Sequence, residues 1–75
     1  MPRYFFHSQN KTEFIDKEGA VFANSQDARN HAVIVAGELL KGAGCLGWQG
    51  TQLRLWVTDE TGATVCTVKF DVEYD

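Results

Sequence analysis

The side chains best suited to chemistry in this 75-residue chain are His7, His31, Cys45, Cys66 and the carboxylates Asp16, Glu18, Asp59 and Glu60. A zinc centre draws its donors from a cluster of Cys and His at close spacing. Cys45 and Cys66 stand 21 residues apart with no C-x-x-C pair, so the pattern implies no metal site. Acid–base catalysis needs two carboxylates brought into a cleft with displaced pKa values. All four carboxylates fall in segments that read as turns, where such groups bond local amides and stay wet. No nucleophile elbow, Ser-His-Asp order or phosphate loop is present. Gly42-Ala43-Gly44-Cys45-Leu46-Gly47 does match G-x-G-x-x-G. That motif holds a dinucleotide only where the glycines leave a strand and open a helix, so that helix amides face the pyrophosphate. Here they close a helical segment, and the wrong pole of the helix dipole faces them. The expectation is a non-enzyme with no catalytic residues, no cofactor and no metal.

Length and charge narrow the remaining classes. Seventy-five residues make one small domain, with a core that is marginal without disulfides, metal or a partner subunit. The net charge of −3 and singly scattered Lys and Arg disfavour nucleic acid, which calls for a basic patch or stripe. Met1-Pro2-Arg3 leads straight into a strand-like run with no apolar leader, and no apolar stretch approaches the roughly 18 residues that span a bilayer. The expected location is cytoplasmic, where two cysteines stay reduced: Cys66 as a small buried side chain and Cys45 in a loop. Asn10-Lys11-Thr12 fits a glycosylation sequon, which has no meaning without secretion.

The elements that would position these residues follow from periodicity. Tyr4, Phe5 and Phe6 form a nearly continuous aromatic run within Arg3 to Ser8, the mark of a strand covered on both faces. Gln9-Asn10-Lys11 reads as a turn, Glu13 to Asp16 as a second short strand, and Asp16-Lys17-Glu18-Gly19 as a turn with Gly19 at positive φ. Ala20-Val21-Phe22 resumes extended structure. Asn24, or else Ser25, caps a helix with Asp27 in its first turn. Ala28, Ala32, Val35, Ala36, Leu39, Leu40 and Ala43 give that helix one apolar stripe, Val33 and Ile34 widen it, and Gly42 and Gly44 stop it. Gly42 to Gly50 is a glycine-rich connector.

Thr51 to Val72 reads as a hairpin with alternating faces. With Asp59-Glu60-Thr61-Gly62 as its loop, Thr58 stands opposite Ala63, Leu55 opposite Cys66 and Leu53 opposite Val68. The expected fold is α+β, ββαββ: a four-stranded antiparallel sheet of order 2-1-3-4 with one helix packed on one face. Tyr4, Phe6, Leu53, Leu55, Val57, Cys66, Val68 and Phe70 then face the helix. The other face carries Arg3, Phe5, His7, Arg54, Trp56, Val65, Thr67 and Lys69, with nothing left in the chain to cover it. Trp, Phe and Arg are enriched in interface cores. Arg3, Phe5, His7, Arg54, Trp56 and Val65 are therefore the candidate interface, for a second copy or another protein. A small ligand or single-stranded nucleic acid stacking on Phe5, Arg54 and Trp56 is the alternative.

The opening M-P-R-Y-F-F-H, the Asp16-x-x-Gly19 turn, the polar cap before an Ala-rich helix at Ala28-Arg29 and Ala32, and V-T-D-E-T-G at Val57 to Gly62 are shared with one group of proteins. In these the chain resembles short bacterial proteins, mostly alpha-proteobacterial and rhizobia among them, grouped as a domain of unknown function. Gln9-Asn10-Lys11 departs from the Asp-Gly turn of many members, and the glycine-rich connector is a second departure. The resemblance spans nearly the whole chain and implies a compact bacterial cytosolic domain. It brings no catalytic or binding residues.

Overall fold

The computed structural model describes residues 1–9, 13–45 and 52–71. The elements are β1 (Arg3–Gln9), β2 (Glu13–Phe14), β3 (Ala20–Val21), α1 (Ser25–Cys45), β4 (Gln52–Thr58) and β5 (Thr64–Asp71). The sheet path is β2-β1-β4-β5, antiparallel throughout, with α1 on one face. The α+β class and the path of the four expected strands agree with the pattern of the residues. The addition is β3, which pairs Arg3 and Tyr4 of β1 with Val21 and Ala20. The connector from Leu46 to Gly50, most of the first turn (Asn10 to Thr12) and Val72 lie outside the described residues.

The alternation predicts the faces and misses the register of the long hairpin by two. Leu53 stands opposite Phe70, Leu55 opposite Val68 and Val57 opposite Cys66. A two-residue shift returns every side chain to the same face, so alternation alone does not distinguish the two pairings. The turn decides. Asp59 Oδ1 accepts from the Thr61 amide at 2.8 Å, the Thr61 hydroxyl at 2.6 Å and the Ala63 amide at 3.1 Å. The Asp59 amide donates to the Ala63 carbonyl at 3.0 Å, and Gly62 turns the chain at φ 88°. The loop thus runs from Asp59 to Ala63, one residue longer than expected. Thr58 then pairs with Thr64 while Val57 pairs with Cys66, which leaves Val65 as the extra residue of a bulge.

Helix α1 starts where its cap dictates. Asn24 Oδ1 accepts from the Asp27 amide at 2.9 Å. Asn24→Ala is expected to cost about 1 kcal/mol, read as a lower midpoint in urea unfolding. The helix does not stop at Gly42, which keeps a helical backbone, and it runs on to Cys45, so Cys45 is a helix residue and not a loop one. Ala28, Ala32 and Ala36 are fully buried, and with Tyr4, Leu55 and Val57 they bring the helix close down on the sheet. Leu39, on the same stripe, is 40 % exposed. His31 is more than a flank residue: its ring lies 5.4 Å from Phe6 and 5.2 Å from Phe22, centroid to centroid. This places the His31 side of the helix over β1.

Candidate functional site

The face opposite the helix begins with backbone parity. His7 of β1 pairs with Trp56 of β4, Phe5 with Thr58 and Gln9 with Arg54, so these six side chains share one surface. The His7 and Trp56 rings lie 5.3 Å apart at 36°, and the Arg54 guanidinium carbon sits 5.0 Å from the Trp56 ring centre, a cation–π contact. Thr67 and Lys69 continue the surface opposite Trp56 and Arg54. Trp56 is half-buried beneath these neighbours.

Two expectations for this face are corrected. Part of the chain does cover it: the segment between β2 and β3 folds back over Phe5 and His7, leaving His7 only 8 % exposed. The reason is Asp16. β2 extends only over Glu13–Phe14 and β3 over Ala20–Val21, so neither strand reaches the amide of Phe6. Asp16 Oδ2 accepts that amide at 3.1 Å, in place of a neighbouring strand's carbonyl. Its other oxygen accepts the Glu18 and Gly19 amides, both at 3.1 Å. The Asp16 amide in turn donates to His7 Nδ1 at 3.1 Å. Since a peptide N–H only donates, His7 carries its proton on Nε2, which donates to Thr58 Oγ1 at 2.9 Å. Both ring nitrogens are thus engaged, and His7 is a buried link between β1, β4 and the Asp16 turn rather than a surface group. The second correction concerns Val65. The bulge turns it against the core cluster, so it does not belong to the outer surface.

Arg3 is likewise committed, its Nη1 donating to the Glu18 carbonyl at 2.7 Å and its amide to Glu60 Oε1 at 3.0 Å. Of the six candidates, the structure leaves Arg54, Trp56 and the half-buried Phe5 as an open cluster, with Arg3 at its rim. Asp16 is the turn carboxylate expected from the sequence, and what the sequence does not show is its reach to the Phe6 amide of β1. The signal for the turn is an Asp three residues before a Gly, the pattern of a carboxylate that bonds its own turn.

The carboxylates have titration consequences. Partial burial pushes the Asp16 carboxyl up, but the amides of Gly19, Phe6 and Glu18 outweigh it and hold the group below its ordinary value of 3.8. The Thr61 hydroxyl, with the amides of Thr61, Ala63 and Gly62, lowers Asp59 in the same way. A carboxyl lowered in the folded state stabilises fully above its unfolded value and loses that contribution as pH falls through the folded one. Thermal stability is therefore expected to fall as pH drops below 3.8, with a shallower slope in Asp16→Asn. Burial raises the Cys66 thiol, with the Arg29 charge opposing. Among the described residues no three His, Cys, Asp or Glu groups gather in a metal-binding cluster. A groove of about 370 Å³ lies where β4 and β5 meet Leu53, Arg54, Lys69, Phe70 and Asp71.

Fold and site together define a small helix-on-sheet α+β domain in which carboxylate and imidazole groups tie turns to strands. Residues 3–71 match the model of the domain of unknown function DUF6894, and the chain belongs to that family. No curated protein and no solved structure matches it at a significant level. No described helix is long and apolar enough to cross a membrane.

Proposed function

We propose that this chain is a small self-associating module, a homodimer of the bacterial cytoplasm with no catalytic activity of its own. The reading rests on where the apolar surface lies. Among the described residues the buried hydrophobic core is Tyr4, Ala28, Ala32, Ala36, Leu53, Leu55 and Val57, three of the seven being alanine. The same helix leaves Val33 63 % and Ile34 58 % exposed. Small residues inside and branched aliphatics outside are the reverse of what an isolated domain this size needs, because its core is marginal to begin with. A second subunit that covers part of the helix resolves the conflict. The bacterial and cytoplasmic placement rests on the sequence resemblance. Sedimentation equilibrium across a wide concentration range is expected to give twice the 8.4 kDa chain mass. A mass of one chain at every concentration refutes self-association.

The second reading is a ligand or single-stranded nucleic-acid binder that uses Phe5, Arg54 and Trp56. It is favoured by the Arg54–Trp56 stack beside the groove that Arg54 and Lys69 line. A fluorescence titration of Trp56 with oligonucleotide at low salt, in a Trp48→Phe background, tests it, and an unchanged spectrum removes it.

A further inference from the structure

The two edges of the sheet are built differently. One ends in β2 and β3, two residues each, with the Asp16 turn between them. Short, interrupted strands of this kind blunt an edge against further pairing. The other edge is β5, eight residues long, and among the described residues nothing pairs with its outer side. Beyond the bulge at Val65, Cys66 to Asp71 pair with β4 in unbroken register.

Hydrogen-bond parity shows which groups of β5 point outward. The Phe6 amide points to Asp16 on the far edge, so His7 points to β4 at Trp56. Along β4 the next residues, Leu55 and Val57, then point to β5 at Val68 and Cys66. Thr67 and Lys69 are left with outward amides and carbonyls.

We propose that β5 pairs antiparallel with β5 of a second copy, about a two-fold axis at Val68, with the Val33 flank of each helix closing over the joint. The inference rests on the self-association reading and gives it a surface. An axis perpendicular to the sheet keeps both helices on one side and demands that paired residues share parity. Centred on Val68, Val68 meets its own copy and Cys66 meets Phe70 on the helix side. Thr67 meets Lys69 twice on the outer side, through outward-facing backbone groups of both chains. Centring on Lys69 would set two lysines face to face, and centring on Thr67 would draw the bulged Val65 into the ladder. The register at Val68 avoids both.

The helix supports the same joint. Arg29 lies on its β5 side, near enough for its charge to act on Cys66, whereas His31 lies over Phe6 of β1. Val33 follows Arg29 by one turn on that flank and, among the described residues, is the most exposed large aliphatic of the helix. Since α1 lies over β4 and β5, the axis brings the two helices to roughly 10–14 Å, close to a helix-packing distance.

A charge test reads the register while leaving the protomer's core untouched, because Thr67 is exposed. Thr67→Lys opposes the partner's Lys69 at two symmetric places and is expected to weaken the dimer about tenfold in sedimentation equilibrium. Thr67→Glu is expected to tighten it by a similar factor, and Thr67→Lys with Lys69→Glu to restore it. Arg54→Ala, on the outer face, is expected to leave the dimer constant unchanged. Circular dichroism of each variant confirms the fold. A dimer indifferent to both Thr67 changes, or one that dissociates in Arg54→Ala, overturns the β5 joint while self-association stands. A wild-type chain that stays monomeric overturns both and leaves the edge to an extended segment of some other protein.

Discussion

Gly19→Ala is expected to cost about 3 kcal/mol or more, the largest loss among the described glycines Gly19, Gly37, Gly42 and Gly62. Gly19 sits at φ 70°, where an L-residue costs about 1–2 kcal/mol. Space adds to that cost. A Cβ there would lie 2.6 Å from the Tyr4 carbonyl oxygen, 2.9 Å from Phe5 Cδ1 and 3.0 Å from Arg3 Cγ. The first contact is backbone of the central strand, held between β3 and β4, and has no room to yield. A domain of this length has a total stability of about 4–11 kcal/mol, so the loss takes a large share of it. Gly62→Ala is the control. Its φ is 88°, yet nothing stands within 4 Å, and the expected cost is the conformational one alone, about 1–2 kcal/mol. Urea unfolding of the two variants separates close approach from backbone strain. Equal losses would show that the turn does not press on β1.

Asp16→Ala is expected to cost about 2–3 kcal/mol. The carboxylate accepts three amides, those of Phe6, Glu18 and Gly19, and hydrogen bonds to charged groups contribute about 1.5–3 kcal/mol where they are sheltered. Two of the three are only part-buried and the third is exposed, so water replaces some of the loss. Asp16→Asn keeps one acceptor oxygen and is expected to lose less. The effect should spread to His7, whose Nδ1 bond depends on the position of the Asp16 amide. Amide hydrogen exchange at Phe6 and, in a Trp48→Phe background, the Trp56 emission maximum read this. Faster exchange at Phe6 with a shifted Trp56 spectrum is the expected result. Loss of stability with Phe6 still protected would mean that the carboxylate serves only its own turn.

Much of the architecture is legible in the order of residues. Tyr4 and Phe6 face the helix and Phe5 and His7 face away, because strand side chains alternate. Asn24 caps α1 because its short amide reaches the third helical N–H. Gly19 and Gly62 mark the two positive-φ turns. Less is legible at the outer face. His7 reads as a surface side chain until the Asp16 turn folds over it, and Val65 reads as outward until the bulge turns it in. Both depend on contacts between segments that are distant in sequence or on one extra loop residue, neither of which a period-two pattern records.

The residues by themselves therefore determined the class of fold, the strand path, the helix start and, Val65 apart, the side of the sheet on which the described strand side chains lie. Periodicity and capping are local, and local geometry is repeated in every turn and pleat. Tertiary structure alone decided the absolute register of the long hairpin, the burial of His7 and the contrast between a blunted edge at β2 and β3 and an open one at β5. Alternation specifies pairing only to within two residues. The final choice fell to one carboxylate at Asp59 gathering the Thr61 and Ala63 amides, and to another at Asp16 completing a strand edge that no neighbouring strand reaches.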